Sequence, residues 1–164
     1  MDVELRNKIS CKQIVMKRFV VTLALLFAVT ILTAQRLVTG DRAPELKVGV
    51  WLNSSPGSGL RLIEFFHSSS PQSVARLDEN ERLAKKYGSR LAVIVIAKEE
   101  AEVIERVIKP SERTFHAGID DAEKTFSAYG IQFVPYSVFL DSRGRIVWFG
   151  NPAMLTDRII DQNL

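Results

Sequence analysis

Apolar residues recur along this chain with two different periods. Arg61 to Phe66 is a short apolar run bounded by turn residues, which predicts a buried strand. Ser70 to Tyr87 predicts a helix, because Val74, Leu77, Ala84 and Tyr87 fall at spacings of 3, 7 and 3 on one stripe. Ser70 suits its N-cap, Pro71 its first turn and Gly88 its stop. Arg90 to Ala97 is the clearest strand, apolar and β-branched almost throughout. Glu99 to Lys109 predicts a charged helix with Val103, Val107 and Ile108 towards the sheet, ended by Pro110. Thr114 to Ile119 is a short strand, and Asp120 to Tyr129 a helix closed by Gly130. Tyr136 to Leu140 and Arg145 to Phe149 flank Asp141-Ser142-Arg143-Gly144, the pattern of a hairpin. Pro152 to Asn163 predicts a last helix with Met154, Leu155, Ile159 and Ile160 as its apolar set. Before all these, Arg36 to Leu52 reads as a lead-in with a short alternating piece at Leu46, Val48 and Val50. A loop follows it at residues 53–59. The order implies one three-layer α/β domain whose otherwise parallel sheet ends in an antiparallel pair.

The N-terminal 35 residues follow a different pattern. Phe19 to Ala34 is sixteen residues without a charge, preceded by Lys17-Arg18 and ending on the small Ala34. That is the layout of a secretory signal peptide, although Leu32 is large for the position two before the cleavage residue. The alternative is an uncleaved anchor. Sixteen residues at about 1.5 Å each reach roughly 24 Å, short of the ~30 Å hydrocarbon core. Met16-Lys17-Arg18 would also make a more typical start than Met1. The expectation is thus a signal or anchor over 1–35 and a domain over 36–164, periplasmic or secreted, touching membrane only through residues 19–34.

Removing that segment changes the charge picture. The chain has 22 Lys and Arg against 19 Asp and Glu; residues 1–35 hold five and two of these, leaving 17 of each. The net charge of +3 therefore belongs to the N-terminal segment, and nothing in the rest favours nucleic acid. Cysteine usage is equally decisive. Cys11 is the only one, so residues 36–164 can form no disulfide, thiolate or Cys-ligated metal site.

Several separated motifs then carry a family resemblance. Gly40-Asp41-Arg42-Ala43-Pro44, the run Glu64 to Ser73, Tyr129-Gly130-Ile131, Val134 to Asp141, Gly144-Arg145-Ile146-Val147 and Trp148 to Pro152 stand in order at family spacing. In these, residues 37–164 resemble the thioredoxin fold, within it the exported TlpA/redoxin-like group. The resemblance implies a thioredoxin-like α/β/α sandwich with a mixed sheet and a C-terminal antiparallel hairpin. It places the group's Cys-x-x-Cys on Ser70 and Ser73, and the preceding aromatic on Ser69. A serine hydroxyl supplies neither thiolate nor S–S bond, so the group's reaction is absent at these positions. Glu64 matches the buried acid that assists the second cysteine, and Pro135 matches the cis-proline beside the dithiol. Backbone at Val134, Pro135 and Tyr136 corresponds to the segment that pairs with an extended substrate. The expected partner is an envelope protein or extended peptide, bound across Ser69, Ser70 and Val134 to Tyr136, with no cofactor and no metal. The competing expectation is oxidoreductase activity that uses a partner's thiols, and a third is small-molecule or haem-related binding.

Other chemistry is weighed on single residues. Ser70 could be a nucleophile with His67 as its base, but no G-x-S-x-G elbow surrounds it, and a plain N-cap is the simpler reading. His116 on a strand reads as structural, and two histidines without an acid cluster make a poor metal site. Asp120-Asp121 reads as a helix start, Lys98 to Arg106 as a solvated face, and Trp51 and Trp148 as packing residues.

Overall fold

In the computed structural model, residues 36–164 are described; the predicted signal or anchor segment lies outside them. The strands are β1 (Val50–Trp51), β2 (Leu60–Phe65), β3 (Leu91–Ala97), β4 (His116–Ile119), β5 (Tyr136–Leu140) and β6 (Ile146–Gly150). The helices are α1 (Pro71–Tyr87), α2 (Ala101–Ile108), α3 (Lys124–Ala128) and α4 (Asp157–Asp161). The six strands form one mixed sheet in the order β1-β4-β3-β2-β5-β6. Only the neighbours β2, β3 and β4 run parallel; β1, β5 and β6 pair antiparallel. The antiparallel part is thus larger than a closing hairpin, because β5 also runs against β2 and the lead-in supplies β1 on the far edge.

Alternation along the strands divides the core between the two faces of the sheet. Leu62, Phe66, Val93, Val95, Ala117 and Phe139 pack with Leu77, Leu83 and Tyr87 of α1, Ile104 and Ile108 of α2, and Ile160 of α4. Ile63, Phe65, Ile94, Ile96, Val138 and Ile146 pack with Phe126 of α3 and with Tyr129. Among the described residues the second face has this one short helix, and the lead-in residues Ala43, Leu46, Val48 and Trp51, with Ile131 and Val134, add to its cover. That approach is close: a Cβ on Gly118 of β4 would lie 2.7 Å from Val48 Cγ1. The lead-in also reaches the hairpin, where Ala43 N donates to the Gly144 carbonyl at 2.9 Å and Ile146 N to that of Asp41 at 2.9 Å.

Helix ends explain where observed elements depart from the periodicity. Gly88 ends α1 at φ +54, its N–H donating to the Ala84 carbonyl. The last helix is shorter than its apolar pattern predicts. Asn151 Oδ1 accepts from Ala153 N and Thr156 Oγ1 from Ile159 N, so two caps divide the segment into a 3-10 turn (Pro152–Met154) and α4. Met154 is consequently exposed, whereas Ile160 is fully buried. Along α1, Val74 is exposed, and in α2 Ile104 and Ile108 are the buried pair. Asp120 is fully buried, yet α3 starts only at Lys124. Its carboxylate accepts from Phe126 N at 2.9 Å across the intervening turn.

Candidate functional site

The site is built where β2 delivers the chain to α1. Phe65 ends β2 opposite Tyr136, the first residue of β5. Pro135 therefore lies at the end of the sheet from which residues 67–70 lead into the helix. The Val134–Pro135 peptide bond is cis. Val134, Pro135 and Tyr136 are half-buried, and burial holds the Tyr136 phenol above its usual range.

Ser70 caps α1 with extended backbone, its Oγ accepting from Ser73 N at 3.2 Å. Its Oγ donates in turn to Gln72 Oε1 at 3.4 Å, and its N–H donates to the His67 carbonyl at 3.0 Å. Replacing this cap by alanine should cost about 1 kcal/mol of stability, whereas Ser70→Asp should keep most of it. Urea midpoints of the two variants check this; equal midpoints would remove the cap from the account. Ser73 is fully buried and its Oγ has no hydrogen-bond partner among the described residues. Of the two serines, only Ser70 can therefore face a ligand, beside the exposed Ser69.

Beneath the first half of α1 lies a carboxylate. Glu64 sits on the α1 face of β2, between Leu62 and Phe66, and is 0% exposed. Asn80 Nδ2 donates to its Oε1 at 2.9 Å, Ser137 Oγ to its Oε2 at 3.2 Å, and Arg76 Nη2 stands 3.4 Å from Oε2. Burial raises the Glu64 carboxyl above its ordinary range, against the opposing pull of Arg76, Asn80 and Ser137. Asn80 Oδ1 and Arg76 Nε have no partner among the described residues, so the network is only partly satisfied.

The loop before Ser70 holds a second cluster. Glu99 accepts from Ser68 N at 2.7 Å and also from Ser68 Oγ. Its Oε1 lies 3.5 Å from His67 Nδ1, which in turn lies 2.9 Å from Ser69 Oγ and accepts from Ser69 N at 3.2 Å. Serine and acid thus meet the same ring nitrogen. A hydrolytic triad needs them on opposite nitrogens, with the acid orienting one and the other taking the serine proton. The geometry pairs His67 with Ser69 and Glu99, so it does not supply Ser70 with a base. His116 Nδ1 donates to the Ser54 carbonyl at 2.8 Å, a structural tie between the loop and β4. No cluster of three or more His, Cys, Asp or Glu suited to a metal occurs among the described residues.

Sequence reasoning missed Arg76, Asn80, Glu99 and Phe133. Arg76 and Asn80 are four apart on the inward side of α1, so a polar residue inside the Leu77–Ala84 stripe was the available signal. Phe133 gave none: it is 62% exposed and packs edge-on against Tyr136, ring centroids 5.4 Å apart.

Neither a family profile nor a curated protein matches the chain. Solved structures do. A candidate thiol:disulfide interchange protein DsbE from Chlorobium tepidum is 17% identical, with TM-score 0.63 over 77% of this chain and 98% of its own. A thioredoxin-like protein solved in its oxidised form is 19% identical, with TM-score 0.64 over 75% and 97%. StoA from Bacillus subtilis is 19% identical, with TM-score 0.53 over 65% and 84%. At these identities the likeness is one of fold, and the fold is thioredoxin-like.

Proposed function

We propose that this thioredoxin-like domain is an exported binding module that takes up an extended peptide or an envelope protein, without redox chemistry of its own. One observation carries the reading. Ser70 and Ser73 occupy the start of α1 and residues 36–164 contain no cysteine, yet Phe133 and Tyr136 leave an aromatic edge beside Pro135. The contact surface is Ser69, Ser70, Val134, Pro135 and Tyr136, flanked by Phe133. Backbone at the start of β5 offers hydrogen bonds to an extended segment, and the aromatic pair offers apolar area. Export rests on the charged-then-apolar pattern of residues 17–34.

A second reading rests on Glu64. A buried carboxyl held above its ordinary range near a helix start suits proton transfer. It favours a thiol–disulfide oxidoreductase of the redoxin kind, acting with a partner's thiols.

The test is affinity capture with the tagged full-length chain from its native envelope. The parent is compared with a Ser70→Arg/Tyr136→Arg variant whose circular dichroism matches it. A protein retained by the parent and lost by the variant supports binding at this surface. A retained protein bearing Cys-x-x-Cys moves the assignment to the second reading. Identical capture by parent and variant sinks both.

A further inference from the structure

A cleft of about 660 Å³ opens at the end of the sheet remote from Ser70. Arg61 lies there at the start of β2, opposite Leu140 at the end of β5. Exposed Arg42, from the lead-in, and exposed Arg143, from the hairpin turn, line the same cleft. Neighbouring Arg145 shows what a satisfied guanidinium looks like here, its Nη1 donating to the Gly40 carbonyl at 2.9 Å. Arg42, Arg61 and Arg143 have no such side-chain partner among the described residues, in hydrogen bond or ion pair. The Nε of Arg61 is buried without an acceptor among the described residues. A buried donor left unpaired is destabilising unless a water or a ligand supplies the acceptor.

The charge balance specifies that ligand. Glu45 is the one acid in the lining and lies 3.8 Å from Lys47, so the cleft carries a formal charge of +2. Guanidinium forks match the oxygens of a phosphoryl group, whose dianion would neutralise that charge. Leu46, Leu140 and Tyr129 add apolar wall, and the volume falls in the range of small-molecule sites, about 300–1,000 Å³. We infer that the cleft between Arg42, Arg61 and Arg143 binds the phosphoryl group of a small molecule, at a site separate from the Ser70–Tyr136 surface.

Calorimetry on the full-length chain at constant ionic strength tests this, with phenyl phosphate as probe. One-to-one saturation is expected. Arg61→Gln should weaken it about tenfold, the scale of one lost charge-assisted hydrogen bond. Arg42→Gln/Arg143→Gln, which changes only exposed side chains, should weaken it at least as much, and Arg106→Gln on α2 should leave it unchanged. Inorganic phosphate run in parallel separates the sources: tighter phenyl phosphate assigns an ester, equal binding the free anion. Three results would overturn the inference: no saturable heat with either probe, affinity unchanged in the Arg42→Gln/Arg143→Gln variant, or benzoate binding as tightly as phenyl phosphate.

Discussion

Replacing Phe65 by alanine is expected to lower the stability of the domain by about 3–5 kcal/mol. Phe65 is 0% exposed and stands at the centre of the α3 face of the sheet. Its ring meets Phe126 edge-on at 5.0 Å and Tyr129 at 5.3 Å, so the deletion removes aromatic contact as well as buried area. Among the described residues that face is covered by the five residues of α3, the lead-in and the segment from Tyr129 to Val134, not by a long helix. Val74→Ala, on the exposed side of α1, should stay within about 0.5 kcal/mol. Urea denaturation of the full-length variants measures both. A loss below about 1 kcal/mol for Phe65→Ala would mean that this face is not packed around Phe65.

The second large effect concerns Arg76, and it depends on pH. Arg76→Ala leaves Glu64 buried without its cation, a change that is strongly destabilising when the charge must stay. A carboxyl can instead take a proton. Protonating one of ordinary pKa near 4.5 at pH 7 costs about 3 kcal/mol, so that figure is the ceiling for the electrostatic part of the loss. The sign follows from the direction of the shift. Burial raises the folded-state value of Glu64 above 4.5, so its contribution is most favourable below pH 4.5 and is lost as pH rises through the folded value. Removing Arg76 takes away a lowering influence and raises that value further. The penalty of Arg76→Ala should therefore be small at pH 5 and grow towards pH 8. Glu64→Gln removes the titration and should flatten stability above pH 4.5, both alone and combined with Arg76→Ala. Urea midpoints from pH 5 to 8 decide it. A penalty for Arg76→Ala that is the same at both ends would show that Arg76 acts by packing alone.

Those two residues also mark where the sequence was legible. β2, β3 and the hairpin could be read because their apolar runs are short, β-branched and bounded by turn residues. Ser70 as cap and Gly88 as stop followed from side-chain oxygen and positive φ, which are local properties. Depth was harder. The period placed Val74 and Leu77 on one stripe, but one is 39% exposed and the other 3%, because helix phase does not tell where the sheet ends. The polar partners of Glu64 were illegible for a related reason. Arg76, Asn80 and Ser137 come from two distant segments, and only the packing of α1 on β2 and β5 brings them to one carboxylate. β1 was legible only in part: Val50 ends the alternating piece, but two residues form a strand only where β4 offers an edge.

The lead-in that packs over one face of the sheet has a further consequence for behaviour in solution. Open strand edges are templates for aggregation and self-association. One lateral border ends in a strand only two residues long, Val50–Trp51. At the other, Gly40 N donates to the Ile146 carbonyl at 2.7 Å and Ile146 N to that of Asp41, which blunts the beginning of β6. A single stretch of about a dozen residues thus reaches both borders, forming the short edge strand of one and pairing with the first residue of the other. Each border therefore offers an incoming chain only a short run of strand, two residues at β1 and Val147 to Gly150 at β6, which disfavours sideways growth.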